Sequence, residues 1–368
     1  MTEPVLEGEL VDERVQLPAL VDDRTLGVDE QLSAAAWDRI ARSTPANTLR
    51  AYDRLLLGKA RRPDGKHGAA AAPWPHLAWV PWCEVSGRRS GVGTEAATQQ
   101  TLAEWVAELA DAGIGTATIE QGIAAVRRLH RECGHSGQPD TTLALQVLRG
   151  ELYERTSKQK RRVAPVTLPI LISMLEQERF GTTRRPHPTI AERDACMFTL
   201  GIAGMLRRSE LAALGHEHAE VSDEGLVLWI ASSKTDRMSR GAEVVIPRGK
   251  NPATDPVRQY EVWRDRLGDA TGPLLRAVGK AGRVGGALTP DGRDVARRIK
   301  VAVAAAGMNP ALYAGHSLRA GGATIAHLGG ASLLEIMKQG RWRRVEQVLE
   351  YIRLLERFTH NAAGKMGL

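Results

Sequence analysis

A basic, polar stretch near the middle of the chain decides how the rest can fold. Thr156-Ser157-Lys158-Gln159-Lys160-Arg161-Arg162-Val163-Ala164-Pro165 offers no apolar face and ends in a proline. Such a segment cannot join a core and reads as a linker at a domain boundary. Before it, apolar residues repeat only at helical spacing. After it, helical spacing is interrupted by runs with strand character. At 368 residues the chain also exceeds what one typical core holds, so two domains satisfy both observations.

Residues 1–30 are rich in Glu, Asp and Val without a clear period, and read as a flexible arm or a short docked segment. Residues 31–155 read as helical. Ser43-Thr44-Pro45 and Asn47 offer a cap before Thr48-Leu49-Arg50-Ala51-Tyr52. Residues 58–93 break the pattern with Pro63, Pro73, Pro75, Pro81 and the tryptophans Trp74, Trp79 and Trp82. That segment reads as a loop around a short buried piece. A helix is expected from Thr94, with Leu102, Trp105, Val106 and Leu109 on its apolar face. Gly113-Ile114-Gly115 ends it. Thr116 can cap the next helix, 117–131, which aligns Ile119, Ile123, Val126 and Leu129 and points Gln121, Arg127, Arg128 and Arg131 elsewhere. A further helix is expected over 143–155.

Beyond the linker, helices are expected over 168–177 and 190–203. Leu226-Val227-Leu228-Trp229-Ile230 and Glu243-Val244-Val245-Ile246-Pro247 read as two strands of a hairpin joined by the polar turn 232–241. Helices follow over 257–267, 292–305, 318–328, 332–338 and 345–355. The fold class is therefore mainly α with a small β-sheet, α+β.

Lys and Arg number 50 against 43 for Asp and Glu, a net charge of +7. That balance favours a polyanionic partner, most simply nucleic acid. Cys83, Cys133 and Cys196 are far apart and form no Cys-x-x-Cys motif, so neither a zinc ribbon nor a disulfide framework is suggested, and a reducing cytoplasm is the simplest compartment. No apolar run reaches the roughly 18 residues a membrane helix needs, and the acidic start lacks the apolar region of a signal peptide. His216-Glu217-His218 lacks further ligands for a metal.

The second domain carries residues suited to phosphoryl transfer. Such a reaction needs an in-line nucleophile, cations for the non-bridging oxygens and an acid for the leaving oxygen. Arginine suits the second task, because its planar fork donates paired hydrogen bonds to phosphate. Met205-Leu206-Arg207-Arg208-Ser209-Glu210-Leu211 contains R-x-S-E-L. Ser232-Ser233-Lys234-Thr235-Asp236 puts a lysine on the hairpin turn, with Lys250 nearby. Gly315-His316-Ser317-Leu318-Arg319 is H-x-x-R, whose spacing sets both cations on one helical face. Gly340-Arg341-Trp342 follows, and then Tyr351 within Leu349-Glu350-Tyr351-Ile352-Arg353.

The order R, K, H-x-x-R, W, Y resembles the signature of the tyrosine recombinases, or phage integrase family, over roughly residues 45–365, more weakly in the N-terminal half. Two departures stand out. Met205 occupies a position where the family usually has glycine, and the segment 58–93 is longer and richer in Pro and Trp than expected.

The resemblance implies a helical core-binding domain over 31–155 that binds DNA, the linker 156–165, and a catalytic domain over 166–368 that ends in a helix exchanged between protomers. The two domains would clamp a duplex. Tyr351 would attack the scissile phosphate and form a 3′-phosphotyrosine. Arg207 and Arg319 would hold the non-bridging oxygens, and Lys234 would protonate the leaving 5′-oxygen. His316 would assist proton transfer, Trp342 would donate its indole N–H where many members have histidine, and Glu210 would buttress His316 or the arginines. Neither a metal nor ATP nor another cofactor would be required. Arg127, Arg128 and Arg131, the linker residues Lys158, Lys160, Arg161 and Arg162, and Arg293 are candidate DNA contacts. The implied partner is double-stranded DNA with an inverted-repeat site, bound by a homotetramer that joins two sites and exchanges strands through a Holliday junction. An inactive DNA-binding protein and a type IB topoisomerase-like relaxing enzyme are the alternatives.

Overall fold

The computed structural model describes residues 33, 35, 39, 43–61, 67–71, 74–155, 163–180, 187–231, 241–268 and 271–352. The chain divides into two compact units, Met1–Lys160 and Arg161–Leu368. The N-terminal arm, linker residues 156–162, the hairpin turn 232–240 and the tail from 353 lie outside the described residues.

The first unit runs α1 (Ala46–Leu57), β1 (Lys59–Arg61), β2 (His67–Ala71), a 3-10 turn (Pro75–Leu77), α2 (Trp79–Val85), α3 (Gln99–Asp111), α4 (Thr116–Glu132) and α5 (Thr142–Arg155). Segment 58–93 therefore holds more than a loop. β1 and β2 pair antiparallel, and α2 buries Trp79 and Trp82. These elements are too short to display a period in sequence. Trp79 meets Trp105 edge to face, with ring centres 5.2 Å apart. Their indole N–H groups donate to the carbonyls of Ser90 (2.7 Å) and Leu77 (2.8 Å), so the rings are buried without stranding a polar atom.

Capping chemistry moves several helix starts. Helix α3 begins at Gln99 rather than Thr94, because Thr98 Oγ1 accepts the Thr101 N–H at 3.1 Å and closes the first turn. Thr116 is the first helical residue of α4, with Gly115 at the cap. Pro45 precedes α1, and Asn47 lies inside that helix. On α4, Ile119, Ile123, Val126 and Leu129 are buried as the spacing predicts. His130 is also fully buried. Its Nδ1 lies 2.9 Å from the Val126 carbonyl, and its Nε2 accepts the Ala97 N–H at 3.0 Å. One neutral tautomer satisfies both contacts and pins the chain before α3 onto α4.

The second unit runs α6 (Leu168–Phe180), α7 (Pro188–Ala203), α8 (Arg208–Ala213), β3 (Ala219–Val221), β4 (Gly225–Ile230), β5 (Ala242–Pro247), α9 (Pro256–Leu267), β6 (Arg276–Val278), β7 (Val284–Ala287), α10 (Arg293–Ala305), α11 (Ser317–Leu328), α12 (Leu333–Gly340) and α13 (Val345–Ile352). The expected hairpin is β4–β5, paired antiparallel with Val227 opposite Val245 and Trp229 opposite Glu243. Leu226, Leu228, Ile230, Val244 and Ile246 face the core, while Trp229 and Val245 face outward. The period of two is thus the burial pattern. β3 adds a third strand beside β4, and β6–β7 form a separate ribbon. These strands of three or four residues carry no alternation to read.

Helix α7 is buried on almost every side from Thr189 to Ile202 and is the centre of the unit. Helix α11 lies close against its end: a Cβ on Gly322 would come within 2.3 Å of the Ile202 carbonyl oxygen. A buried ion cluster ties α6, α7 and α10. Arg298 bridges Asp194 Oδ2 (2.6 Å) and Glu178 Oε1 (2.9 Å), and Arg193 donates to Asp194 Oδ1. The large apolar core includes Met197, Phe198, Leu206, Trp263, Ile299 and Leu318. A second, smaller core gathers Met205, Ala323, Ile336, Trp342, Val348 and Ile352, with Tyr351 against it.

Candidate active site

Two tight turns build the site. Helix α7 ends with the Met205 N–H on the Ile202 carbonyl (3.1 Å) and the Leu206 N–H on the Gly201 carbonyl (3.1 Å). Helix α12 ends the same way, with Arg341 N–H on Lys338 (3.2 Å) and Trp342 N–H on Met337 (3.0 Å). This pairing closes a helix by turning one residue left-handed. That residue is Met205 (φ 45°) in the first turn and Arg341 (φ 56°) in the second, and among the described residues they are the non-glycine residues at positive φ. The glycine that the resemblance leads one to expect at Met205 thus corresponds to a real conformational demand.

Arg319 joins the two turns. It lies in the first turn of α11 and is 3% exposed. Its Nη1 donates to the Met205 carbonyl and its Nη2 to the Gly340 carbonyl. Its guanidinium lies over the Trp342 ring, 4.0 Å from the centre. That ring fits because residue 340 is glycine: a Cβ there would come within 1.9 Å of Trp342. Trp342 is in turn 6.0 Å from the Tyr351 ring, centre to centre.

The first turn also delivers Arg207 to the start of α8. Glu210, three residues on, accepts the Arg207 backbone N–H on Oε2 (2.9 Å) and Arg207 Nη1 on Oε1 (2.6 Å). The same Oε2 accepts Arg341 Nη2 at 2.7 Å. Glu210 therefore holds both arginines, whereas its contact with His316 was an open alternative in the sequence. Burial pushes the Glu210 carboxyl up, but Arg341 and Arg207 outweigh it and hold it below the usual carboxylate range. Burial and neighbouring Arg207 lower Arg319 to about 9, against the pull of Glu210. Burial likewise lowers Arg341, with Glu210 opposing. Arg319 therefore stays charged at neutral pH.

The candidate residues divide by location. Arg207, Glu210, Arg319 and Trp342 come together, with Tyr351 beside Trp342. His316 is at the N-terminal cap of α11 and exposed, while Arg319 three residues later is buried. The pair therefore does not share one environment, despite its helical spacing. Lys234 lies outside the described residues, as do Lys158, Lys160, Arg161 and Arg162. Arg127 and Arg131 are exposed on α4. Arg128 is half-buried and engaged, donating to Glu132 Oε1 and Thr44 Oγ1, both at 2.6 Å. Arg293 opens α10, exposed and paired with Asp291 at 2.8 Å. His218 of the His216-Glu217-His218 turn accepts the Gly215 N–H on Nδ1 at 3.0 Å. Arg341 was given no role by sequence reasoning. Its signal was a charged residue just after a helix end, where glycine is preferred.

Buried guanidiniums gathered around one carboxylate beside a tyrosine make an anion site suited to a phosphodiester. No family model matches the chain. It is 26% identical over 352 residues to an integrase/recombinase XerD homologue of Selenomonas ruminantium, covering 94% of this chain and 93% of that protein. It is 25% identical over 301 residues to recombinase Cre of Escherichia phage P1, covering 76% of this chain and 81% of Cre. Among solved structures, the post-cleavage complex of the XerH site-specific recombinase with a palindromic difH substrate shares the fold, with a TM-score of 0.52 and 13% identity over 74% of this chain and 73% of that one. In its ordered Arg–His-x-x-Arg–Trp–Tyr set and along most of its length the chain thus resembles tyrosine recombinases, Cre among them, and it shares the fold of one in structure.

Proposed function

We propose that the chain cuts and rejoins DNA at specific sites, with Tyr351 as the nucleophile. The observation that carries this reading is the bridge of Arg319 between the two left-handed turns, which places it in one cluster with Arg207, Glu210 and Trp342 beside Tyr351. The Tyr351 phenol gives its proton to His316, its oxygen forms a bond to phosphorus, and the bond from phosphorus to the 5′-oxygen breaks. Lys234 gives that oxygen its proton, leaving a 3′-phosphotyrosine and a free 5′-hydroxyl. Arg207 and Arg319 hold the non-bridging oxygens, Trp342 donates its indole N–H, and His316 moves protons at the edge of the site. Attack by the 5′-hydroxyl of a partner strand reverses the step and releases Tyr351. One phosphoester bond replaces another at each step, so the bond energy is retained and no nucleotide hydrolysis is needed. Losing either arginine should slow cleavage on the order of a hundredfold or more.

Strand exchange between two sites asks for four protomers, and a Holliday junction lies between the two pairs of exchanges. The tail beyond residue 356, outside the described residues, is the segment assigned to protomer contact. Arg127, Arg131, Arg293 and the linker cations supply backbone and base contacts on double-stranded DNA.

The test uses DNA flanking the protein's own gene as nicked suicide substrates, with EDTA and without ATP. Covalent protein–DNA adducts that vanish in Tyr351→Phe support the reading, and sequencing the trapped end locates the site. Adducts that survive in Tyr351→Phe overturn the nucleophile. Tight binding with no adduct points to an inactive DNA-binding protein. Relaxed circles without recombinants point to a topoisomerase. A truncation after residue 356 that recombines normally would refute the role of the tail.

A further inference from the structure

Arg341 has no part in the reaction as drawn above, yet the structure places it in the site. It occupies left-handed backbone, where an L side chain is strained and glycine is not. Its side chain is 12% exposed and donates through Nη2 to Glu210 Oε2 at 2.7 Å. Its Nε is buried with no partner among the described residues. A cap that glycine would fill without strain holds instead a buried guanidinium directed at the carboxylate that also binds Arg207.

Charge counting shows what this achieves. Arg207, Arg319 and Arg341 against Glu210 make 3 − 1 = +2. Without Arg341, Glu210 would cancel Arg207 and leave +1. A phosphodiester carries one negative charge, and attack by a phenolate adds a second at phosphorus. We infer that Arg341 is a positioning residue for the phosphate. It holds the Oε2 side of Glu210, keeps that carboxylate from neutralising Arg207 alone, and so maintains an excess of two positive charges where the second negative charge develops. The inference rests on the phosphoryl-transfer reading of the site.

The test that is independent of any DNA sequence is titration of the full-length protein with inorganic phosphate, followed by phosphorus NMR. Arg341→Gly removes the guanidinium and relieves the turn, so its unfolding midpoint should not fall. Removing one charge at this range in a partly buried site should weaken phosphate binding about tenfold in Arg341→Gly and Arg341→Gln. Arg341→Lys should recover most of it. The double variant Arg341→Gln with Glu210→Gln restores the count to +2 and should bind phosphate better than Arg341→Gln alone, which a merely structural role does not predict. On the trapped substrate, Arg341→Gly should slow cleavage at saturating DNA.

A folded Arg341→Gly with unchanged phosphate affinity overturns the inference. Should that variant unfold, a folded Arg341→Lys with phosphate binding as weak as Arg341→Gln overturns it equally. Wild-type protein that forms no Tyr351 adduct, but whose phosphate affinity follows the charge count, refutes the recombinase chemistry and supports the role of Arg341 in anion binding.

Discussion

The Arg319 guanidinium lies 4.0 Å from the centre of the Trp342 ring, so a buried cation rests on an aromatic face rather than on a carboxylate. Trp342 also fills the small core with Met205, Ile336 and Val348. Trp342→Ala should destabilise the second unit by about 3–5 kcal/mol, through the cavity and the lost ring face. Trp342→Phe keeps a face and most of the volume and should cost clearly less. Urea unfolding of the variants checks this, and equal midpoints for Ala and Phe would show that the ring is not packing there.

At Met205 two effects oppose each other. The side chain is 4% exposed and packs in the small core, while its backbone is left-handed at φ 45°. Met205→Ala loses the packing and keeps the strain, whereas Met205→Gly loses the packing and relieves it. Glycine should therefore be more stable than alanine here by about 1 kcal/mol, the reverse of the usual order inside a helix. Both should fall below wild type. Denaturation midpoints give the order directly.

His130 should make the first unit acid-sensitive. Burial holds its pKa below the ordinary 6.5, with the Val126 carbonyl opposing. The unfolded chain binds the proton more readily, so the stability contribution is present above about pH 6.5 and is lost as pH falls through the lowered folded value. Protonation also removes the acceptor for the Ala97 N–H. Amide protection across α4, corrected for intrinsic exchange, should fall over that range in wild type and stay flat in His130→Gln. Parallel curves would exclude His130 as the cause.

Glu178 should act in the opposite direction in the second unit. Burial, then Asp194, pushes its pKa up to about 7, with Arg298 and Arg193 opposing. Its Oε2 is buried without a partner among the described residues. The folded state binds this proton more tightly than the unfolded state. The contribution is therefore complete below the ordinary 4.5 and is lost as pH rises through about 7. Glu178→Gln should flatten that alkaline loss in a pH series of unfolding midpoints, and an unchanged slope would remove Glu178 from the account.

Much of this molecule is legible in its sequence because the information is local. Apolar residues three and four apart place α3, α4, α7 and α11, and alternation places β4 and β5. The motifs around Arg207, Arg319, Trp342 and Tyr351 stand out by residue type and order. The tertiary structure decided the rest. β3, β6 and β7 are too short to carry a period and exist because a neighbour supplies their hydrogen bonds. Thr98 starts α3 through a hydrogen bond that no hydrophobic pattern reports. His316 and Arg319 share a motif but not an environment, since burial depends on what packs against a helix start. The contact between Arg341 and Glu210 spans 131 positions. It forms because two helices end in left-handed turns that Arg319 ties together, and a pairing set by chain reversal leaves no trace in the sequence near either residue.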